Sequence, residues 1–334
     1  MFNIALIGCG AMGITHLYCY AEMKDRVRIV AIAEGNAERF KAAKEVLGYD
    51  FTGYLSIDEL LENEKPDMVD ICLPTFLHCK YAVAAMEKGI KVLLEKPVCL
   101  KPEEAEIILE TKKRTGVELQ VAHAVRFFKE YAYVKKQIDS GKFGKVKSGT
   151  FWRFSGYPSW SPAITDYKKS GTVALDMHIH DVDYIRYLMG SEPEKVRSTA
   201  SRNSQGVISH IFSTYEFGDA VISAESGWDL PESYPFTADF QVMAENAAFV
   251  YKDGVLTVYP EDGEPYVPDI EVKWTTTMKN NANLTEAEGY YLELAYFIDE
   301  VMIGGKKGVV DAEDAVKTFR LVMKEIDLCG GMKK

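Results

Sequence analysis

Over roughly its first third the chain alternates short apolar runs with longer stretches in which apolar residues recur every three or four positions. Asn3–Ile7 (NIALI), Arg28–Ala33, Met68–Leu73, Lys91–Leu94 and Glu118–Ala122 read as buried strands. Between them Ile14–Met23, Ala37–Leu47, Asp58–Glu62, His78–Lys88 and Glu103–Thr115 read as helices, with Gly89 and Gly116 supplying stops after two of them. Strands alternating with helices of this length predict an α/β domain over residues 1–122, built on a doubly wound, mostly parallel sheet. In such sheets ligands collect at the carboxyl ends of the strands. Three segments arrive at that edge: Gly8–Gly13, Pro74–His78 and Glu95–Pro97.

The pattern then changes. Phe127–Ser140 reads as a linking helix and Val146–Phe154 as a strand, followed by the turn-rich and aromatic Ser155–Ser170. Ser170–Gly190 contains an amphipathic helix, with Val182, Ile185, Leu188 and Met189 on its apolar stripe and Gly190 as its stop. Lys195–Ser201, Ile208–Glu216, Val221–Trp228, Thr237–Ala244, Ala248–Lys252 and Val255–Tyr259 read as strands joined by short turns, which predicts an antiparallel sheet. Glu288–Ile303 and Ala312–Leu328 read as closing helices, and Lys279–Leu284 as the most flexible loop. Residues 123–334 are thus expected to form a second domain of α+β type.

Composition narrows the function classes. A chain of 334 residues is too long for one ordinary core, which agrees with two domains. The formal charge is −11 and no dense Lys/Arg run occurs, which argues against nucleic acid or an anionic membrane as the main partner. No apolar run approaches the roughly 20 residues needed to cross a bilayer. The six cysteines form no C-x-x-C pair and read as reduced thiols. A cytoplasmic protein is expected.

Candidate chemistry lies at two places. A short strand leads into Gly8-Cys9-Gly10-Ala11-Met12-Gly13 and then a helix, the context in which G-x-G-x-x-G marks a dinucleotide site of Rossmann type. Its glycines allow a tight turn and close backbone approach, and the helix N-terminus faces a pyrophosphate. The next strand ends at Glu34, 21 positions after Gly13, where an acid accepts from ribose hydroxyls and repels a 2′-phosphate. Gly35 and Asn36 follow without an adjacent cation, although Arg39 lies further on in the helix, so NAD(H) is expected over NADP(H). Lys96 stands between an apolar strand and Pro97, so its side chain is aimed at the same edge. The second place is Asp176 with His180, an i,i+4 pair in which a carboxylate can orient an imidazole suited to proton exchange. Tyr157, Trp160 and Tyr167 in the preceding loop could cover the apolar face of a polar ring.

With these elements the chain resembles the Gfo/Idh/MocA family of NAD(P)-dependent oxidoreductases, the family of glucose–fructose oxidoreductase and inositol 2-dehydrogenase. The resemblance rests on Gly8–Gly13, Leu73-Pro74-Thr75 with His78, Glu95-Lys96-Pro97, Ala122–Phe127, Gly141–Val146 and Asp176–His180. It implies Lys96, Asp176 and His180 as the catalytic set. It also implies cofactor contacts from Gly8, Gly10, Ala11, Met12, Gly13, Glu34, Pro74, Thr75, His78, Glu95 and Lys96. Substrate contacts would come from Lys96, Arg126, Tyr157, Trp160 and His180. The second domain would carry a large open, mainly antiparallel sheet whose outer face makes a homodimer or homotetramer, and the substrate would be a sugar, sugar derivative or cyclitol. Phe76, where the family often has asparagine, and His178, where glycine is frequent, depart from the pattern. Three alternatives stay open: a glycosidase using transient oxidation, a dinucleotide-binding homologue without turnover, and a metal site from His178, His180, Asp181 and Asp183.

Overall fold

Six strands, five of them with aliphatic interiors, form the first sheet of a computed structural model that describes residues 1–159, 161–274 and 287–333. They are β1 (Phe2–Ile7), β2 (Val27–Ala33), β3 (Thr52–Tyr54), β4 (Met68–Ile71), β5 (Lys91–Glu95) and β6 (Leu119–Ala122). All pair in parallel, in the order β3-β2-β1-β4-β5-β6. The helices between them are α1 (Ala11–Glu22), α2 (Arg39–Leu47), α3 (Ile57–Asn63), α4 (His78–Glu87) and α5 (Pro102–Thr115). Strand order reverses between β1 and β4, so the carboxyl ends of those two strands flank the crevice where this topology binds ligands. Strand β3 went unread because its three residues, Thr-Gly-Tyr, make no apolar run.

The chain divides into two compact units, Met1–Ala124 with Lys273–Val316, and Val125–Val272 with Lys317–Lys334. The segment Lys273–Val316, assigned above to the second domain, therefore clusters with the first unit. There α10 (Ala287–Tyr296), in our numbering after four helices of the second unit, packs against α1 and continues into a π-helical stretch at Phe297–Ile303. Arg26 pairs with Asp299 at 3.0 Å, and the Val121 amide donates to the Val310 carbonyl beside β6. The loop Lys279–Leu284 lies outside the described residues. No helix among the described residues is long and apolar enough to cross a membrane.

The second unit contains α6 (Lys129–Asp139), the short α7 (Pro162–Thr165) and α8 (Tyr167–Ser170), α9 (Ile179–Met189) and the end of α11 (Ala312–Leu328). Its sheet has seven strands: β7 (Val146–Gly156), β8 (Lys195–Arg202), β9 (Ile208–Phe217), β10 (Ala220–Leu230), β11 (Thr237–Ala244), β12 (Ala247–Lys252) and β13 (Val255–Pro260). The order is β13-β12-β11-β7-β10-β9-β8, antiparallel except where β7 and β10 run parallel. The short-turn argument predicts hairpin neighbours and misses this pair, because β7 is inserted between β10 and β11 from far upstream. Register sorts the faces. Ala224, Phe151, Phe240 and Tyr251 lie in one cross-strand row and are all buried. Tyr131 of α6 packs 4.7 Å from Phe240 and 4.8 Å from Tyr184 of α9, so these aromatics hold both helices on the sheet. A second row, Val221, Ser148, Met243, Ala248 and Tyr259, faces the other way, with Val221, Met243 and Tyr259 exposed.

A buried polar chain ties the first unit together behind its ligand edge. His16 of α1 lies 2.8 Å from Asp70 of β4 through Nδ1 and 3.3 Å from Glu95 of β5 through Nε2. Tyr20 donates to the same Asp70 oxygen at 2.8 Å. Burial alone would lower the His16 pKa, but the neighbouring Cys72 and Asp70, the latter by direct hydrogen bond, hold it well above its ordinary value. Folded His16 thus keeps a proton that the unfolded chain gives up above about pH 6.5. This contribution to stability is complete below that pH and is lost as pH rises toward the raised folded value. Tyr20, held high by burial and then by Asp70, adds a loss in the same direction above about pH 10. The midpoint of urea unfolding should therefore fall between pH 6 and 9, and His16→Gln should lower the midpoint while flattening that slope. An unchanged slope in the variant would mean that His16 does not carry the proton.

Candidate active site

Two glycines of the loop answer different steric restrictions, and the third lies open. Gly8 has φ +95°, and a Cβ there would sit 2.5 Å from the Cys72 carbonyl oxygen. A Cβ on Gly13 would lie 2.1 Å from the Gly8 carbonyl oxygen, so only glycine lets α1 approach β1 this closely. At Gly10 a Cβ would meet nothing within 4 Å. Gly10 is the N-cap of α1, in extended conformation and without a side-chain cap, and it lies at the open side of the loop. The first-turn amides of α1 and this open approach fit a pyrophosphate, as the spacing of the motif requires. Ala11 is exposed and Met12 half-buried at the same position.

Glu34 follows the last residue of β2. Its Oε2 accepts from the Cys9 amide at 2.9 Å and from Arg39 Nη1 at 3.2 Å, and its Oε1 accepts from the Asn36 amide at 3.0 Å. The helix expected from Ala37 begins only at Arg39. Residues 36–38 instead form a turn closed by the Arg39 amide on the Asn36 carbonyl, which returns the guanidinium to Glu34. Burial, and then the Glu34 charge, push the Cys9 thiol up to about 11, so it stays protonated beside the loop.

Two further segments meet the loop at this edge. The Cys72 amide donates to the Ile7 carbonyl, which joins the end of β4 to the end of β1. Pro74 and Thr75 follow, Thr75 buried and Phe76 exposed. The peptide between Lys96 and Pro97 is cis. His78 is buried and bridges the two segments, with Nε2 2.7 Å from the Leu73 carbonyl and Nδ1 2.7 Å from the Pro97 carbonyl. Burial lowers its pKa against the pull of both carbonyls. Glu95 is also buried: one oxygen accepts from the Lys96 amide at 3.0 Å and the other faces His16. His78 and Glu95, expected above to touch the cofactor, are engaged in holding the Leu73–Thr75 and Lys96 segments. Lys96 itself is half-buried at the carboxyl end of β5. The structure thus brings together Gly8–Gly13, Glu34, Pro74, Thr75 and Lys96 within the first unit.

In the second unit the expected continuous helix is interrupted. Ala174–His178 is a π-helical turn, and α9 starts at Ile179. Such turns recur at functional sites because they re-aim side chains. Asp176 and His180 are half-buried, one on each side of the junction. The neighbouring polar residues turn inward instead. Asp181 forms a bidentate pair with Arg153 at 3.1 and 2.8 Å, and Asp183 one with Arg126 at 2.7 Å for both contacts. Thr318 adds a hydrogen bond to Asp183 at 2.9 Å. His178 is buried, with Nδ1 3.2 Å from Ser226 Oγ and Nε2 3.0 Å from Glu325 and 3.2 Å from Tyr215.

The amphipathic reading of this helix is therefore corrected: α9 is buried on its acidic side as well, because those acids are matched by arginines. Of the donor set of the metal alternative, His178, Asp181 and Asp183 are divided among these separate partners. Arg126, expected above to bind substrate, is buried beneath the Tyr187 ring and paired to Asp183. Sequence reasoning missed Arg153 and Glu325, the buried partners, since neither has a local pattern. Tyr157 is 39% exposed, and Trp160 lies outside the described residues.

Known proteins agree with this arrangement. Residues 2–123 match the family model of the Gfo/Idh/MocA oxidoreductases with an NAD-binding Rossmann fold, and residues 131–250 match the C-terminal domain of the same family. The scyllo-inositol 2-dehydrogenase (NAD(+)) of Bacillus subtilis is 27% identical over 326 residues, covering 93% of this chain and 89% of that protein. The 2,7-anhydro-N-acetylneuraminate hydratase of Mediterraneibacter gnavus is 30% identical over 247 residues, 69% of this chain but only 63% of its own length. A structure of levoglucosan dehydrogenase with NADH and L-sorbose superposes with a TM-score of 0.85 over 99% of this chain and 97% of its own, at 20% identity, a likeness of fold. The glycine loop with its acid at the end of β2, the six-stranded parallel order and the two family models agree, and the chain belongs to the Gfo/Idh/MocA family of oxidoreductases, with an NAD-binding Rossmann domain at its N-terminal end.

Proposed function

We propose that the protein is an NAD(H)-dependent dehydrogenase that oxidises a secondary hydroxyl of a sugar, sugar derivative or cyclitol. The observation that carries this reading is the convergence at one strand edge of an uncapped glycine loop, Glu34 and Lys96. The relative named scyllo-inositol 2-dehydrogenase, matched along nearly its whole length, supports the substrate class. Gly8–Gly13 holds the pyrophosphate, Glu34 accepts from the adenosine ribose, and Pro74 and Thr75 line the same edge. The bound dinucleotide supplies the hydride acceptor. His180 takes the hydroxyl proton as the substrate carbon is oxidised, Asp176 orients the imidazole, and Lys96 bonds the reacting oxygen. Tyr157 covers the substrate. One relative, named a hydratase, favours a second reading in which oxidation is transient and the net reaction is not redox. A panel of inositols, sugars and sugar acids with NAD, followed by NADH absorbance, tests the first reading. Substrate loss without net NADH favours the second.

Three expectations follow from the assigned roles and the exposed sheet face. His180→Ala should lower turnover by about 10²–10⁴-fold, the usual loss for a general base, with NADH affinity nearly unchanged. Lys96→Ala should weaken both turnover and cofactor binding; stopped-flow and fluorescence titration separate the two. Equal loss of NADH affinity in both variants would contradict the division of roles. We further propose that the outward row containing Val221, Met243 and Tyr259 packs against a second copy, giving a homodimer or homotetramer. Sedimentation at micromolar concentration should show that species, and Val221→Lys with Met243→Lys should shift it toward monomer.

A further inference from the structure

The π-helical turn before α9 needs a support. Such a turn takes in one residue more than an α-helical turn and is rare. Restoring α-helical winding at Ala174–His178 would turn Asp176 relative to His180 by about 100°, the rotation of one residue. The geometry of this pair is therefore set by what holds the turn open. His178 is the last residue of the turn and the N-cap of α9, yet its side chain makes no cap. It is fully buried, whereas Asp176 and His180, two positions to either side, are half-buried. Nδ1 of its ring lies 3.2 Å from Ser226 Oγ of β10. Nε2 lies 3.2 Å from the Tyr215 hydroxyl of β9 and 3.0 Å from a Glu325 carboxylate oxygen of α11. Ser226, Tyr215 and Glu325 are buried as well. Burial, and then the Glu325 charge, hold the Tyr215 phenol well above its ordinary value, so it keeps its proton beside that carboxylate. A buried carboxylate must be met by donors, and a ring that swings away strands it in the core. Glu325 thus fixes the depth and rotation of the imidazole, and the imidazole fixes the end of the turn. On the other side of the junction, Asp181 paired with Arg153 fixes the start of α9.

We propose that His178 and Glu325 are positioning residues for the proton transfer: their buried pair, completed by Ser226 and Tyr215, holds the π turn open so that Asp176 and His180 stand in the geometry the reaction needs. Both act through the turn, without contact to substrate or cofactor. A side chain on the last helix thereby governs turnover at a pair of residues on another element. The proposal rests on the assignment of Asp176 and His180 to the chemistry.

The test uses the whole protein and the member of the inositol, sugar and sugar-acid panel that wild type oxidises best. On each variant kcat, KM and NADH affinity are measured well below the unfolding midpoint found by circular dichroism. Glu325→Leu, which strands the ring, should lower kcat by about 10²-fold, the scale of a small misplacement at a reacting centre. Ser226→Ala, which removes one hydroxyl, should lower it by about tenfold, the worth of one hydrogen bond. KM and NADH affinity should stay near wild type in both. Glu325→Gln, which keeps an acceptor oxygen for Nε2, should restore kcat to near the wild-type value. A role in stability alone would lower the midpoint and leave kcat of the folded enzyme unchanged, and that result overturns the proposal. Glu325→Gln as impaired as Glu325→Leu overturns it, as does NADH affinity falling in step with kcat. If Glu325→Leu does not fold, Ser226→Ala carries the test, and an unchanged kcat there overturns the proposal. If wild type oxidises nothing on the panel, or His180→Ala keeps its turnover, the assignment beneath the proposal falls and the proposal falls with it. If wild type turns over and His180→Ala does not, while Glu325→Leu and Ser226→Ala behave as wild type, the positioning role alone is overturned.

Discussion

A charge removed from water must be matched by another, and that requirement fixes the positions of the helices that bear the site. In the first unit the His16 imidazole is held between Asp70 and Glu95, so α1 is locked in register against β4 and β5 at the height of the glycine loop. In the second unit Arg126 and Arg153 are matched to Asp183 and Asp181, which sets the rotation of α9 about its axis. Apolar packing alone would tolerate sliding of a helix by a fraction of a turn. A buried bidentate pair does not, because displacement leaves two desolvated charges unmet. The groups assigned to the chemistry, Lys96 on one strand end and Asp176 and His180 beside the π turn, are next in sequence to these anchors.

Much of this was legible in the residues, for identifiable reasons. The parallel sheet announces itself because buried strands are nearly continuous apolar runs, and the glycine loop because it stands between an apolar strand and a helix, where Gly8 and Gly13 answer separate steric demands. The position of Lys96 at the carboxyl end of β5 follows from its place between an apolar strand and a proline. The parts that escaped depend on distant chain. Strand β3 has no apolar signature, the parallel β7–β10 pair links segments far apart, and Arg153 and Glu325 become meaningful only through partners on other elements. The pairing of Arg39 with Glu34 has no sequence signal, because it depends on a helix start two residues later than expected. Arg126, a cation in a motif that resembles the family's, has its charge paired to Asp183 in the core.

The division of the chain also bears on how the protein is made. The first unit lacks its segment Lys273–Val316 until about 150 further residues have been synthesised. At ordinary elongation rates that interval is roughly 10–30 s. Through it α1 has no α10 against it, and the edge of β6 awaits Val310 and Asp311. The nascent N-terminal sheet must therefore wait on the ribosome with a helix face and a strand edge open, while the second unit in turn awaits Lys317–Lys334. Chaperone dependence and aggregation during expression should accordingly be governed by the late segment, and truncation before residue 316 should trap the N-terminal sheet in that unfinished state.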